Sequence, residues 1–317
     1  MPQPADDPRF ADAARGAFLG LAIGDALGTT LEFRKPGTFE PIEDMVGGGP
    51  FRLPVGAWTD DTSMAAALAD SLVVHDGFDP VDQMQRYVAW FRDGVWSSTG
   101  ACFDIGATTA TALRHFERTG EPYAGSTDPM SAGNGSLMRL APVPIAYAHT
   151  PARARQRAAD ASRTTHGATE AVDACRAFTD LLLAAFEGAP KAAILDPERF
   201  APDRWTDAPL ADGIQEVVTG SYRDREPPEI YGAGYVVKTL EAALWAFAST
   251  DDFRSGALKV VNLGQDADTT GAVYGQLAGA HYGASGLPQD WRAKLARRDD
   301  LERLADRLID LAGRTPV

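Results

Sequence analysis

Cysteine is nearly missing from this chain: Cys102 and Cys175 stand far apart among 317 residues, which excludes a disulfide framework and fits a reducing compartment or no redox pressure at all. Basic residues are also scarce, with 30 Lys and Arg against 44 Asp and Glu and a formal net charge of −14. That balance argues against a nucleic-acid partner, because such binding rests on clustered Lys and Arg neutralising phosphates. Long apolar runs are absent too; a stretch such as residues 181–186 is far too short to span a bilayer. Residues 1–10 are rich in Pro and Asp and lack a basic stretch followed by an apolar one, so no secretory signal is read there. A cytoplasmic monomer, with no membrane or nucleic-acid partner, is the expectation. No Gly-x-Ser-x-Gly elbow and no His-Glu-x-x-His motif occurs, which leaves serine-hydrolase and zinc-protease chemistry without support.

What is present is helical. Apolar residues recur at three- and four-residue steps through Met64, Leu68 and Leu72, through Val81, Met84, Val88 and Phe91, through Phe178, Leu181, Leu182 and Ala185, and through Val236, Leu240, Leu244 and Phe247. Helix punctuation surrounds them: Asp79 with Pro80 opens one segment, Gly77 and Gly188 close others, and Thr250, Asp251 or Asp252 can cap the segment from Phe253. Strand-like alternation is almost absent. The expectation is one all-α domain over residues 1–317, a compact orthogonal helical bundle, with residues 1–8 as a flexible tail. Residues 34–57 carry Pro36, Gly37, Gly47, Gly48, Gly49, Pro50 and Pro54 and read as a functional surface loop. Residues 189–209, with four prolines, form a second irregular stretch.

Two acidic runs stand out. Thr59-Asp60-Asp61-Thr62 lies where the first long loop turns into a helix, and Gln265-Asp266-Ala267-Asp268-Thr269-Thr270 leads into a helix of small residues through Gly271, Gly275 and Gly279. Each alone is explained by capping and by the favourable placement of negative charge at a helix N-terminus. Two such clusters, dense in carboxylate and hydroxyl oxygens and without neighbouring Cys or His, suit Mg²⁺, Mn²⁺ or Ca²⁺ better than zinc or copper. Four carboxylates would balance two dications, and paired ions about 3.5–4 Å apart can orient a substrate and activate water for hydrolysis.

Other segments carry weaker signals. Gly20, Gly24 and Gly28 fall at four-residue steps and would let another backbone approach closely, and Glu32 follows them. Residues 98–106 offer free backbone N–H groups at a helix start, and Gly133-Asn134-Gly135-Ser136 could cradle a second anion or be a plain turn. His166 precedes a long helix, and a lone histidine is more often structural than catalytic. Both cysteines look like ordinary small hydrophobes.

Taken together and in order, these segments resemble the ADP-ribosylglycohydrolase family, most closely its bacterial branch of dinitrogenase-reductase-activating glycohydrolases and ADP-ribosylarginine hydrolases. The matching pieces are Gly24 to Gly28 with Glu32, Trp58 to Met64, Ser98 to Gly106, Gly133 to Arg139, Thr165-His166, Gly234 to Ala243 and Gly264 to Gly271. The resemblance implies an all-α fold with a dinuclear Mg²⁺ or Mn²⁺ cleft, in which Thr59, Asp60, Asp61, Asp266, Asp268 and Thr269 are the metal ligands. It places Gly100, Asn134, Gly135, Ser136 and Met138 along the diphosphate and His166 and Tyr235 near the ribose or adenine. Asp104, Glu32 and Asp61 would be catalytic, with Asp104 or Glu32 managing the proton as the bond at C1″ breaks. The substrate it implies is an ADP-ribosylated protein, with ADP-ribose as product and arginine preferred over serine as the linkage. A member that binds ADP-ribose without cleaving it is a second reading, and a metal phosphohydrolase that attacks the pyrophosphate and yields AMP is a third.

Overall fold

The computed structural model describes residues 7–201, 203, 205 and 208–314. Along the chain run α1 (Pro8–Gly28), α2 (Asp60–Val74), α3 (Pro80–Asp93), α4 (Ala107–Thr119), α5 (Pro142–Ala146), α6 (Pro151–Arg163), α7 (Thr169–Phe186), α8 (Lys191–Ile194), α9 (Asp212–Val218), α10 (Val236–Ala248), α11 (Phe253–Val261), α12 (Ala267–Tyr282), α13 (Gln289–Lys294) and α14 (Arg298–Arg314). Among the described residues, β-structure is limited to three isolated bridges. The all-α expectation is met.

The expected punctuation operates locally. The Asp79 carboxylate accepts from the N–H groups of Val81 (2.8 Å) and Asp82 (2.9 Å), Pro80 opens α3, and Gly94 ends it in the left-handed region at φ 67°. Asp252 is the cap of α11, accepting from the Ser255 N–H at 2.8 Å. At the chain start, Asp7 and Pro8, expected within a flexible tail, are instead the N-cap and first residue of α1; residues 1–6 of that expected tail lie outside the described residues.

The arrangement that positions everything else is an antiparallel pairing of α1 and α12. Both helices are buried over most of their circumference, which explains why neither shows an amphipathic stripe. Gly16, Gly20, Gly24 and Gly28 of α1 face Gly279, Gly275, Gly271 and Ala267 of α12, and a β-carbon at Gly24 would stand 2.0 Å from the Gly271 carbonyl oxygen. Only glycine allows backbones that close, and the closeness fixes the register of one helix on the other. Because the pair is antiparallel, the C-terminal end of α1 meets the N-terminal end of α12, and residues 25–32 therefore lie beside residues 266–268. Gly24→Leu is expected to destabilise the protein by at least about 3 kcal/mol, since neither backbone can retreat. Chemical denaturation checks this against Gly106→Ala, where open space surrounds the new methyl and the change should stay within about 0.5 kcal/mol.

Further hydrogen bonds tie other segments to this pair. The buried Gln276 of α12 donates to the carbonyls of Leu137 (3.1 Å) and Met138 (2.8 Å) and accepts from the Ala141 N–H (2.8 Å), which pins residues 137–141 against α12. The long segment 34–57 is not a free flap. Gly48 and Leu53 exchange backbone hydrogen bonds, Asn262 both donates to and accepts from the backbone of Ile42, and Met45 and Leu53 are buried. Within the irregular stretch 189–209, Phe200 is buried and stacks on Trp205 at 6.0 Å, whereas Pro202 lies outside the described residues.

Candidate metal centre and substrate cavity

The two acidic runs, about two hundred positions apart in sequence, meet around one hydroxyl group. Thr59 Oγ1 lies 2.9 Å from Asp25 Oδ1, 3.0 Å from Asp61 Oδ2 and 3.5 Å from Asp268 Oδ2. A hydroxyl has a single proton, so it can satisfy one of these carboxylates at a time. Asp61 Oδ1 is buried with no partner at all. One carboxylate oxygen each from Glu32, Asp266 and Asp268 falls within a 4.8 Å group. The ion pairs of the described residues lie elsewhere: none joins a Lys or Arg to these carboxylates, and Lys35 lines the same cavity without pairing to them. Converging hard oxygens, an orphaned carboxylate oxygen and no Lys or Arg paired to them among the described residues are what a divalent cation site requires. The donor set fits a divalent cation.

Electrostatics tell the same story. Burial, then the charge of Asp268, pushes the carboxyls of Asp25 and Asp266 up to about 7 and that of Asp104 up to about 9. Burial raises Asp60 and Asp61 well above the carboxylate range, with Asp104 the foremost charged neighbour of the first and Asp25 of the second. Glu32 is raised as well, by burial and then by Asp268. The protein must hold this cluster with protons or with cations.

Local structure accounts for each position. Asp25, unassigned by the sequence reading, is fully buried on α1 and accepts from the backbone N–H and the hydroxyl of both Thr59 and Thr62, at 2.6–3.0 Å. It thereby caps α2 from a neighbouring helix and aims Asp60 and Asp61. Its signal was a carboxylate inside the otherwise small and apolar run Gly20 to Gly28. Glu32, expected to be catalytic, is only 4% exposed, and its Oε2 accepts from the Ala267 N–H at 2.9 Å. The 3₁₀ turn Thr29–Leu31 at the end of α1 folds it onto the N-terminus of α12, where negative charge is favoured. Asn134, expected along the diphosphate, donates to Asp266 Oδ2 at 2.6 Å and to Thr239 Oγ1 at 2.9 Å, so it orients an acidic side chain as well as facing the cavity.

Above the carboxylates opens a cavity of about 860 Å³, within the size range of small-molecule sites. Glu32, Asp60, Asp104, Asp266, Asp268 and Thr269 face it on one part of the wall, and Asn134, Gly135, Met138 and His166 on another. Thr59 and Asp61 sit deeper, fully buried beneath the wall. Phe33, Asp104 and Gln265, all lining the cavity, adopt left-handed φ angles of 56–60°, a cost that a non-glycine residue bears where the surrounding structure demands it. Three expected residues are not brought to the wall. Gly100 is exposed in a turn packed against Gly94. The Ser136 hydroxyl accepts from Ser162 Oγ at 2.8 Å inside the protein. Tyr235 is 43% exposed, and its hydroxyl donates to Glu170 at 2.8 Å.

The family model for ADP-ribosylglycohydrolase matches residues 6–316. The chain belongs to the ADP-ribosylglycohydrolase family. Among its relatives, the ADP-ribosylarginine hydrolase Tri1 of Pseudomonas putida is 44% identical over 301 residues, covering 95% of this chain and 79% of that protein. The ADP-ribosyl-[dinitrogen reductase] glycohydrolase of Rhodospirillum rubrum is 32% identical, with 96% of this chain and 98% of that protein covered. A solved structure titled ADP-ribosylglycohydrolase-related protein complex superposes with a TM-score of 0.84 at 47% identity, over 96% of this chain and 99% of that one. This family member has no helix among its described residues that is long and apolar enough to cross a membrane.

Proposed function

We propose that this chain, acting as a single domain, is a metal-dependent hydrolase that removes ADP-ribose from ADP-ribosylated proteins by cleaving the N-glycosidic bond to arginine. The observation that carries the reading is the meeting of Asp61 and Asp268 around the Thr59 hydroxyl beneath the cavity wall. The arginine linkage is supported by the 44% identity to a protein named as an ADP-ribosylarginine hydrolase.

Thr59, Asp60, Asp61, Asp266, Asp268 and Thr269 are the residues that would hold two Mg²⁺ or Mn²⁺ ions. When bound, such ions supply Lewis acidity and lower the pKa of a coordinated water. Asp25 and Asn134 keep the acidic side chains aimed, and Glu32 is held in place by the N-terminus of α12. In the reaction, a water oxygen becomes bonded to C1″ as the bond from C1″ to the guanidine nitrogen breaks, and the departing guanidine gains a proton. Asp104 stands on the cavity wall where its carboxyl can hold and hand over that proton. Asn134, Gly135, Met138 and His166 offer the rest of the wall to the nucleotide.

The test is release of ADP-ribose from arginine-linked and serine-linked ADP-ribosyl peptides, with Mg²⁺, with Mn²⁺ and with a chelator. Metal-dependent release from the arginine peptide alone is expected. Release only from the serine peptide would reassign the linkage, and binding of ADP-ribose without release would make the chain a binder. AMP as the product would place the chemistry at the pyrophosphate.

A further inference from the structure

Next to the His166 wall of the cavity lies a buried cation. Arg139 is 1% exposed, and no ion pair of the described residues includes it. Its guanidinium stacks 4.6 Å from the centre of the Tyr87 ring, and Nη1 points at Met64 Sδ at 3.6 Å. Nη2 donates to Thr165 Oγ1 at 2.6 Å. Thr165 Oγ1 in turn lies 2.8 Å from His166 Nδ1.

We infer that Arg139, through Thr165, fixes His166 as the Nε2–H tautomer and so presents a neutral N–H donor to an oxygen of ADP-ribose in the cavity. The direction of each hydrogen bond follows from what the groups can do. A guanidinium only donates, so Thr165 Oγ1 accepts from Arg139. The hydroxyl proton of Thr165 then needs an acceptor, and among the described residues only His166 Nδ1 is within reach. With Nδ1 accepting, the ring proton belongs on Nε2. The opposite tautomer would leave a buried hydroxyl proton without a partner, which is costly.

The other edge of the ring is left open by the glycines around Asn134. A β-carbon at Gly135 would stand 2.7 Å from His166 Cε1 and 3.0 Å from Nε2, and one at Gly133 would stand 3.3 Å from Nε2. His166 lines the cavity, and its Nε2 has no partner among the described residues. Burial and the charge of Arg139 push the imidazole down to about 3, so the ring stays neutral across the working range of pH. Arg139 and Thr165 are thus positioning residues that act through His166. The inference rests on the ADP-ribose reading for the identity of the ligand, whereas the tautomer itself does not.

Ring-nitrogen NMR of the ¹⁵N-labelled protein without metal tests the tautomer, with the His166 signals assigned by their loss in His166→Gln. A single Nε2–H species from pH 5 to 8 is expected. Thr165→Val should broaden that signature toward a mixture of tautomers and weaken ADP-ribose binding about tenfold, the worth of one buried hydrogen bond. Thr165→Ser should restore both. An Nδ1–H ring or an imidazolium in the wild type overturns the inference, and so does wild-type ADP-ribose affinity in Thr165→Val. If the wild type binds no ADP-ribose, the functional reading fails while the NMR result still decides the tautomer.

Discussion

Asp266→Asn and Asp61→Asn are each expected to lower release of ADP-ribose from the arginine-linked substrate by at least about a hundredfold, because loss of an orienting partner alone costs tenfold to a hundredfold at a metal site. Both side chains would contribute charge to the bound ions, and an amide oxygen is a weaker ligand without charge. The same substitutions should leave the metal-free protein as heat-stable as the wild type, or more so. Asp61 Oδ1 has no hydrogen-bond partner, and both carboxyls are raised by burial among like charges. Replacing either by an amide therefore removes repulsion from the folded state, the trade between stability and function common at active sites. Turnover and thermal melting, measured together on each variant, separate the two possibilities. A variant that unfolds but, when folded, turns over normally would mean that these carboxylates serve the fold and not the reaction.

The metal-free protein should lose stability as pH rises, and added metal should restore it most where the loss is greatest. Asp25 and Asp266 are pushed up to about 7 and Asp104 up to about 9, against an unfolded value of 3.8. Between those limits the folded chain binds more protons than the unfolded chain, so the stability it gains from them is complete below about pH 4. It is lost as pH climbs through 7 and then 9. The expected record is a melting temperature that falls by several degrees from pH 5 to pH 8 in chelator. Mg²⁺ or Mn²⁺ must displace those protons, so metal binding strengthens with pH. At a hundredfold excess over its dissociation constant, one ion adds about 2.7 kcal/mol. Melting curves across pH, with chelator and with each metal, provide the check. A metal-free melting temperature that rises from pH 5 to 8, or one that metal leaves unchanged at pH 8, would remove the basis for a cation site in this cluster.

Much of the fold was legible because its signals are local. The steps of three and four residues through Met64 to Leu72 and Val236 to Phe247 lie within α2 and α10, and Asp79-Pro80 opens α3 as capping chemistry requires. The acidic runs were legible for the same reason, since Asp and Thr cluster at the starts of α2 and α12. For Glu32 the sequence offers a candidate role but not its setting. Nothing in its neighbours announces that a 3₁₀ turn folds it onto the Ala267 N–H. Asp25 stands out as a carboxylate in a run whose evident message is close helix packing, but its task of capping α2 depends on partners 34 and 37 positions away. Tyr235 was expected at the ligand but its hydroxyl is held by Glu170, a pairing between positions 65 apart that no local pattern encodes.

By itself the sequence determined the all-α class, the main helices, the two oxygen-rich runs and the glycine spacing of α1, since each depends on side chains a few positions apart. The tertiary structure decided that Thr59 stands among Asp25, Asp61 and Asp268, that Asn134 orients Asp266, and that Arg139 reaches His166 through Thr165. Those relations hang on the α1 and α12 backbones meeting at Gly24 and Gly271. Spacing in one helix can permit such an approach, but the partner and the register come from packing in three dimensions, where every glycine must find its opposite at once.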